Sequence, residues 1–196
     1  MKTIREIITL STDYLVKAGI ESARVEAEWL ISHALDMPRM QLYINFDKPL
    51  TEDELGIIRP LLSRRAKGEP VQYITGSTEF YGLEIEVGPG VLIPRPETEL
   101  LVDEALKRVS AGDKVLDLCT GSGIIAIAVQ HEKKGELAMT ASDICSDAMK
   151  FARKNIASHN LTIQLLEGDL FEAVGALTFD LICSNPPYVG TEEQVD

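Results

Sequence analysis

"KVLDLCTGSGIIAIAVQHE", residues 114–132, changes character in its middle. "KVLDL" is a short apolar run of the kind that a strand buried on both faces shows. "GIIAIAVQHE" is apolar for long enough to be a buried helix. Between them "DLCTGSG", residues 117–123, places Gly121 and Gly123 where a strand turns into a helix. The same grammar repeats toward the C-terminus. "LAMTASD" reads as a second strand, and "SDAMKFARKNIASHN" as an amphipathic helix capped by Ser146 or Asp147. "LTIQLLEGD" and "FDLICSN" supply two more strands. Strands alternating with helices predict a parallel sheet in a doubly wound α/β fold. An open sheet of this kind normally has further strands, so a C-terminally incomplete sheet is expected within these 196 residues.

Upstream the pattern is helical. "IREIITLSTDYLVKAG" has apolar residues at helical spacing and ends at Gly19, a natural C-cap. "SARVEAEWLISHALD" puts Ala27, Leu30, Ile31 and Ala34 on one face. In "TEDELGIIRPLLSRRAKG", Thr51 and Glu54 form a capping box, and Pro60 is expected to kink or divide the helix. Residues 1–70 are therefore a small all-α domain of four or five segments with no catalytic constellation. From Pro70, β-branched and aromatic residues alternate with polar ones and Gly82 interrupts them, which predicts a β-hairpin linker over residues 71–92. Residues 93–196 form the α/β domain, entered by a helix near Glu97 and Thr98 after two prolines.

Composition narrows the class. With 45% hydrophobic and 26% charged residues the chain is globular, and no apolar run approaches a membrane span. Cys119, Cys145 and Cys183 are odd in number and form no CxxC pair, which suits reduced thiols of a cytoplasmic protein. His33, His131 and His159 are scattered, so no metal site is expected. The net charge is −12, and its distribution matters. Residues 1–75 hold 10 Lys+Arg against 11 Asp+Glu; residues 76–196 hold 9 against 20. Such acidity opposes direct nucleic-acid binding. It suits a cationic small molecule or a basic protein partner, and equally it keeps a surface soluble.

The strand ends carry the chemistry. Gly121 and Gly123 let backbone approach a ligand at a helix N-terminus. Asp143 ends the second strand 20 residues after Gly123, a spacing that suits a carboxylate accepting from ribose hydroxyls. Residue 126 is Ala and residue 119 is Cys, so G-x-G-x-x-G is incomplete and no pyrophosphate is indicated. An adenosyl group with a carboxylate-bearing arm fits better, and S-adenosylmethionine has both. Asp169, after the third strand, is either an acceptor for the adenine amino group or a turn cap, with Leu170 beside it to pack on the ring. "NPPY", residues 185–188, ends the fourth strand on the same edge. Pro186 and Pro187 remove two backbone donors and hold the preceding residues extended. The loop thereby offers acceptors, the Asn185 side-chain oxygen and the Pro186 carbonyl, suited to a planar NH₂ group. Tyr188 offers a face to a flat amide or base.

"DLCTGSG", "NPPY" and the upstream "FYGLEIEVGPGVLIPRPETE" together resemble the HemK/PrmC family of protein-(glutamine-N5) methyltransferases, along the whole chain. "NPPY" alone is shared with DNA adenine-N6 and RNA guanine-N2 methyltransferases, whereas "IPRPETE", residues 93–99, is far more family-specific. The resemblance implies a Rossmann-like class I S-adenosylmethionine-dependent methyltransferase that modifies a glutamine in peptide chain release factors, acting in translation termination. It implies that Cys119, Thr120, Gly121, Ser122 and Gly123 hold the methionine part of the cofactor, Asp143 the ribose and Leu170 the adenine. Asn185, Pro186, Pro187 and Tyr188 hold the substrate glutamine, with Asn185 also near the cofactor. Arg95 and residues Glu97 to Glu99 shape the cofactor side or form an ion-paired helix start. The resemblance also implies that the helical domain grips the release factor. Cys119 stands where many methyltransferases have glycine. The alternatives are a nucleic-acid methyltransferase acting on a flipped base, and an inactive truncated fragment that only binds cofactor.

Overall fold

A computed structural model of the chain describes residues 1–187, which form two compact units divided between Gly76 and Ser77. The first is helical: α1 (Ile4–Lys17), α2 (Ala23–Ala34), α3 (Arg39–Ile44), α4 (Glu52–Ala66) and α5 (Val71–Thr75). Thr3 starts α1 with a reciprocal capping box. Its hydroxyl accepts the Glu6 N–H at 3.3 Å while Glu6 Oε2 accepts the Thr3 N–H at 2.8 Å. Ile4, Ile7, Ile8, Ser11 and Leu15 then form the buried stripe of the helix. Thr51 and Glu54 repeat the box at α4. The core of the unit joins these stripes to Ala27, Leu30, Ile31, Leu42, Ile58, Val71 and Ile74.

Two expectations change here. Pro60 does not divide α4, which runs through it. The hydrogen bond that Pro60 cannot make belongs to the Gly56 carbonyl, and both residues are exposed, so the vacant acceptor is not buried. The hairpin does not begin at residue 71. Pro70 enters a helical turn, Val71 and Ile74 bury themselves at i,i+3 spacing, and Gly76 ends it in the left-handed region at φ 82°. Apolar burial in the helical core overrides the β-propensity of "VQYIT".

The second unit opens on the antiparallel hairpin β1 (Ser77–Phe80) and β2 (Leu83–Glu86). Tyr81 and Gly82 both have positive φ, as a two-residue turn of the primed type requires. Leu83 and Ile85 are buried while Glu84 and Glu86 are exposed. A 3₁₀ turn at Pro96–Thr98 leads into α6 (Glu99–Leu106). Then come β3 (Lys114–Leu118), α7 (Ile124–Glu132), β4 (Ala138–Asp143), α8 (Ser146–Ser158), β5 (Gln164–Glu167) and β6 (Leu181–Ser184). The four strands make a parallel sheet in the order β5-β4-β3-β6. The chain moves outward from β3 through β4 to β5, then returns to pair β6 on the other side of β3. The switch point of this Rossmann-like α/β sheet therefore lies between the carboxyl ends of β3 and β6.

Burial explains the strand composition. All of Val115, Leu116, Asp117 and Leu118 are buried. Asp117 points toward α7, whose Ala126 N–H it accepts at 3.1 Å. Leu116 and Leu118, on the opposite face, pack with Leu166, Val174 and Phe179 from β5 and the segment that follows it. The α8 start also differs from expectation. Cys145, not Ser146 or Asp147, is the N-cap residue, because Asp143 Oδ1 accepts the Cys145 N–H at 2.9 Å and sets the turn one residue earlier.

Candidate active site

The carboxyl edge of the sheet brings the singled-out residues into one row. Asp169 and Leu170 follow β5, Asp143 ends β4, Cys119 to Gly123 follow β3, and Asn185 follows β6. With neighbouring strands about 4.8 Å apart, the row spans roughly 14 Å.

The glycine loop is shaped by three polar anchors. Asp117 Oδ2 accepts from the Thr120 hydroxyl at 2.5 Å and from Ala126 N, tying both ends of the loop to β3. The Thr120 N–H donates to the Ser142 carbonyl at 2.9 Å. The Gly121 N–H donates to Asp143 Oδ2 at 2.8 Å. Asp143 therefore braces the loop with one oxygen and the start of α8 with the other, and each oxygen keeps a second lone pair. Gly121 lies at φ 58° with open space where a Cβ would stand. Gly123, at φ 88°, is required for closeness: a Cβ there would meet Ile127 Cδ1 at 3.1 Å and Ala152 at 3.4 Å. Cys119 takes φ 61°, a left-handed conformation that costs a side-chain-bearing residue about 1 kcal/mol. This is the backbone reason that glycine suits the position.

Burial dominates the upward shift of the Cys119 thiol, with the Asp143 charge adding to it. Burial likewise pushes the Cys183 thiol up to about 11. Both remain neutral thiols, so neither supplies a thiolate nucleophile.

Asn185 is half-buried, and its Nδ2 donates to Thr98 Oγ1 at 3.2 Å. Leu92, Pro94, Arg95 and Thr98 line one cavity together with Cys119 to Ser122, Ile124, Ile125 and Asn185. The "IPRPETE" segment, the glycine loop and the start of "NPPY" thus meet although they are far apart in sequence. Of the acidic group after Arg95, Glu99 is engaged elsewhere: its Oε1 accepts the Tyr81 N–H at 2.9 Å and holds the hairpin turn against α6. Glu97 is exposed and absent from the cavity lining. Among the described residues Arg95, Glu97 and Glu99 form no ion pair, so the ion-paired helix start is not what organises this segment. Asp169 is exposed and makes no side-chain cap of the 3₁₀ turn that follows it; Leu170 is half exposed. Pro186 and Pro187 are exposed at the mouth of the row, and Tyr188 lies outside the described residues.

Within the Glu97 to Glu99 stretch expected on the cofactor side, it is Thr98 that lines the cavity. One site-forming residue escaped the sequence reading: Asn155 of α8, fully buried, whose Oδ1 accepts the Glu86 N–H at 2.7 Å. Its Nδ2 donates to the carbonyls of Glu86 at 3.1 Å and Ser122 at 2.9 Å. A polar residue inside the stripe of Ala148, Met149, Ala152 and Ile156 was the available signal.

Comparison with known proteins adds a second line of observation. Residues 6–76 match the PrmC N-terminal domain and residues 96–196 match the methyltransferase small domain. The chain is 46% identical over 191 residues to a release factor glutamine methyltransferase of Geobacter sulfurreducens, covering 97% of this chain and 67% of that one. It is 40% identical over 200 residues to the protein of that name from Rhodopirellula baltica, with coverage of 97% and 67%. For the Chlorobaculum tepidum protein of that name the identity is 38% over 205 residues, with coverage of 97% and 69%. The chain thus spans about two thirds of the length of these relatives.

Proposed function

The chain belongs to the release factor glutamine methyltransferase family, and from that membership we propose that it methylates the side-chain amide nitrogen (N5) of a glutamine in a peptide chain release factor. The observation that carries the reading is the meeting of Asn185 with the Cys119 to Ser122 loop in one cavity at the switch point of the sheet. The cofactor of the reading is S-adenosylmethionine, which supplies, when bound, a methyl group made electrophilic by its sulfonium sulfur.

The residues present fit such a group. Gly121 leaves an open cradle, and the buried Ser122 hydroxyl on the cavity wall has no partner among the described residues. Cys119 to Gly123 hold the methionine part through their backbone. The second lone pairs of Asp143 accept from the ribose hydroxyls. Leu170, half exposed at the next strand end, covers one face of the adenine, with Asp169 beside its amino group. Arg95 is the cation of the cavity wall and faces the carboxylate of the amino-acid arm.

At the other end of the row, Asn185 Oδ1 and the Pro186 carbonyl accept both hydrogens of the substrate amide. A carboxamide nitrogen is a poor nucleophile because its lone pair is delocalised. Two acceptors in its plane hold it for attack and become more favourable as positive charge grows on nitrogen. Pro186 and Pro187 bring no N–H to compete for those acceptors. Tyr188 offers its ring to the flat amide. The helical unit supplies the surface that holds the release factor, and no direct nucleic-acid contact is part of this reading.

The test is incorporation of radiolabelled methyl from S-adenosylmethionine into purified release factor, with DNA and RNA as control acceptors. Asn185→Ala is expected to lose roughly tenfold to hundredfold in kcat and to bind S-adenosylhomocysteine within about twofold of the parent. Label appearing on nucleic acid, or an unchanged kcat with only a raised KM for release factor, overturns the assignment.

A further inference from the structure

Thr98 stands at the start of α6, where a threonine ordinarily caps the helix by accepting a backbone N–H of the first turn. It does not do so. Its φ of −70° and ψ of −21° are helical rather than extended, and its hydroxyl makes no capping bond. The residue is only 7% exposed, and Oγ1 instead accepts from Asn185 Nδ2 across 87 positions of sequence. The hydroxyl is carried on a closed turn, since the Thr98 N–H donates to the Arg95 carbonyl at 3.0 Å. The next residue, Glu99, is tied to the hairpin through the Tyr81 N–H. The oxygen that meets Asn185 is thus fixed from both sides.

We propose that Thr98 is a positioning residue for methyl transfer: it holds the Asn185 carboxamide with its NH₂ end inward, so that Oδ1 is presented to the incoming glutamine amide. The proposal rests on the role given to Asn185 above. A carboxamide has a donor end and an acceptor end of nearly the same shape, and a half-turn about its last torsion exchanges them. With the donor end outward, Asn185 would set NH₂ against NH₂, a repulsive pairing. With Oδ1 outward it accepts from the nitrogen that is about to be alkylated. In the structure the Thr98 hydroxyl accepts from Nδ2, and a hydrogen bond of ordinary net strength favours this anchored orientation over an unanchored one about tenfold. The benefit grows as charge develops on the substrate nitrogen, so it belongs to kcat rather than to cofactor affinity.

The experiment compares Thr98→Val, which keeps the shape and removes the hydroxyl, with Thr98→Ser, which keeps the hydroxyl, in the full-length protein. Three readouts are taken: methyl transfer to release factor, calorimetric binding of S-adenosylhomocysteine, and solvent exchange of the Asn185 side-chain amide protons by ¹⁵N NMR. Thr98→Val is expected to lose about tenfold in kcat, bind the cofactor product as the parent does, and exchange the Asn185 protons faster. Thr98→Ser is expected to recover most of both losses. Equal kcat and equal exchange in parent and Thr98→Val overturn the positioning role, as does a loss of activity in the two variants alike. A parent that transfers no methyl to glutamine while its Asn185 protons still respond to Thr98→Val counts against the proposed reaction and leaves the Thr98 to Asn185 contact standing.

Discussion

Asp117 is the residue whose environment is furthest from ordinary. It sits in β3 with 1% exposure. Oδ2 accepts from Thr120 and Ala126, while Oδ1 has no hydrogen-bond partner among the described residues. Burial pushes its pKa up to about 7 from an ordinary 3.8; the Thr120 and Ala126 hydrogen bonds oppose the shift and the Asp143 charge adds to it. The folded chain therefore keeps the proton while the unfolded chain releases it. Between about pH 4 and pH 7 this group contributes a loss of stability as pH rises, and above pH 7 the loss is complete. Asp117→Asn is neutral throughout and keeps an acceptor for Thr120. It is expected to flatten that window and to exceed the parent by on the order of 4 kcal/mol at pH 8 while matching it near pH 4. Denaturation curves of the two proteins at several pH values check this, and parallel profiles would remove Asp117 as the source.

One scale up, α8 shows how an element can be both core and scaffold. Its apolar face packs on β4 and β5, yet Asn155 within that face acts as a strand would, satisfying both backbone groups of Glu86 at the end of β2. The same amide reaches Ser122 and so joins hairpin, helix and glycine loop. Leucine has nearly the same size and none of these bonds. Asn155→Leu leaves one N–H and two carbonyls without their partner and is expected to destabilise the protein by about 2–4 kcal/mol. A urea midpoint equal to that of the parent would mean that relaxation or water replaces the amide. The hairpin turn is held to α6 in a similar way, with Tyr81 O–H donating to Asp103 Oδ1 at 2.8 Å; that carboxylate holds the phenol up at about 12.

At the scale of the whole chain, one buried carboxyl group in each unit responds to acid in the opposite direction to the other. In the helical unit Glu28 has a side chain only 1% exposed and accepts from Arg24 at 3.1 Å, Arg39 at 2.8 Å and Tyr43 at 2.7 Å. Burial raises its pKa, but the hydrogen bonds from Tyr43, Arg39 and Arg24 together outweigh it and hold the carboxyl below its ordinary 4.5. Its stabilisation is present above the carboxylate range and is lost as pH falls through the depressed folded value. Acid thus removes the Glu28 contribution only below its ordinary 4.5, after most of the Asp117 window has been crossed. Glu28→Ala leaves Arg39 and Tyr43 without their acceptor and is expected to cost about 3 kcal/mol. Hydrogen exchange should quicken within residues 1–76 and change little in residues 77–187; a uniform increase would show that the Glu28 cluster is not a local device.

What was readable in advance is what short stretches of chain decide for themselves. The helical periods, the Thr51 and Glu54 box, the Gly82 turn, the βαβ order and the glycine loop each depend on residues within about ten positions of one another. "DLCTGSG" and "NPPY" also name a chemistry, because the backbone freedom of glycine and the missing donors of proline are properties of the residues. Val71 to Thr75 was misread because local propensities differ by only tenths of a kcal/mol, less than the burial of Val71 and Ile74 supplies. The partners of polar side chains lay further out of reach. Thr98 with Asn185, Asn155 with Glu86 and Ser122, and both oxygens of Asp143 are assigned by the strand order β5-β4-β3-β6 and by the helix that packs across it. A buried donor or acceptor must find a partner, and only the completed fold brings that partner within 3 Å.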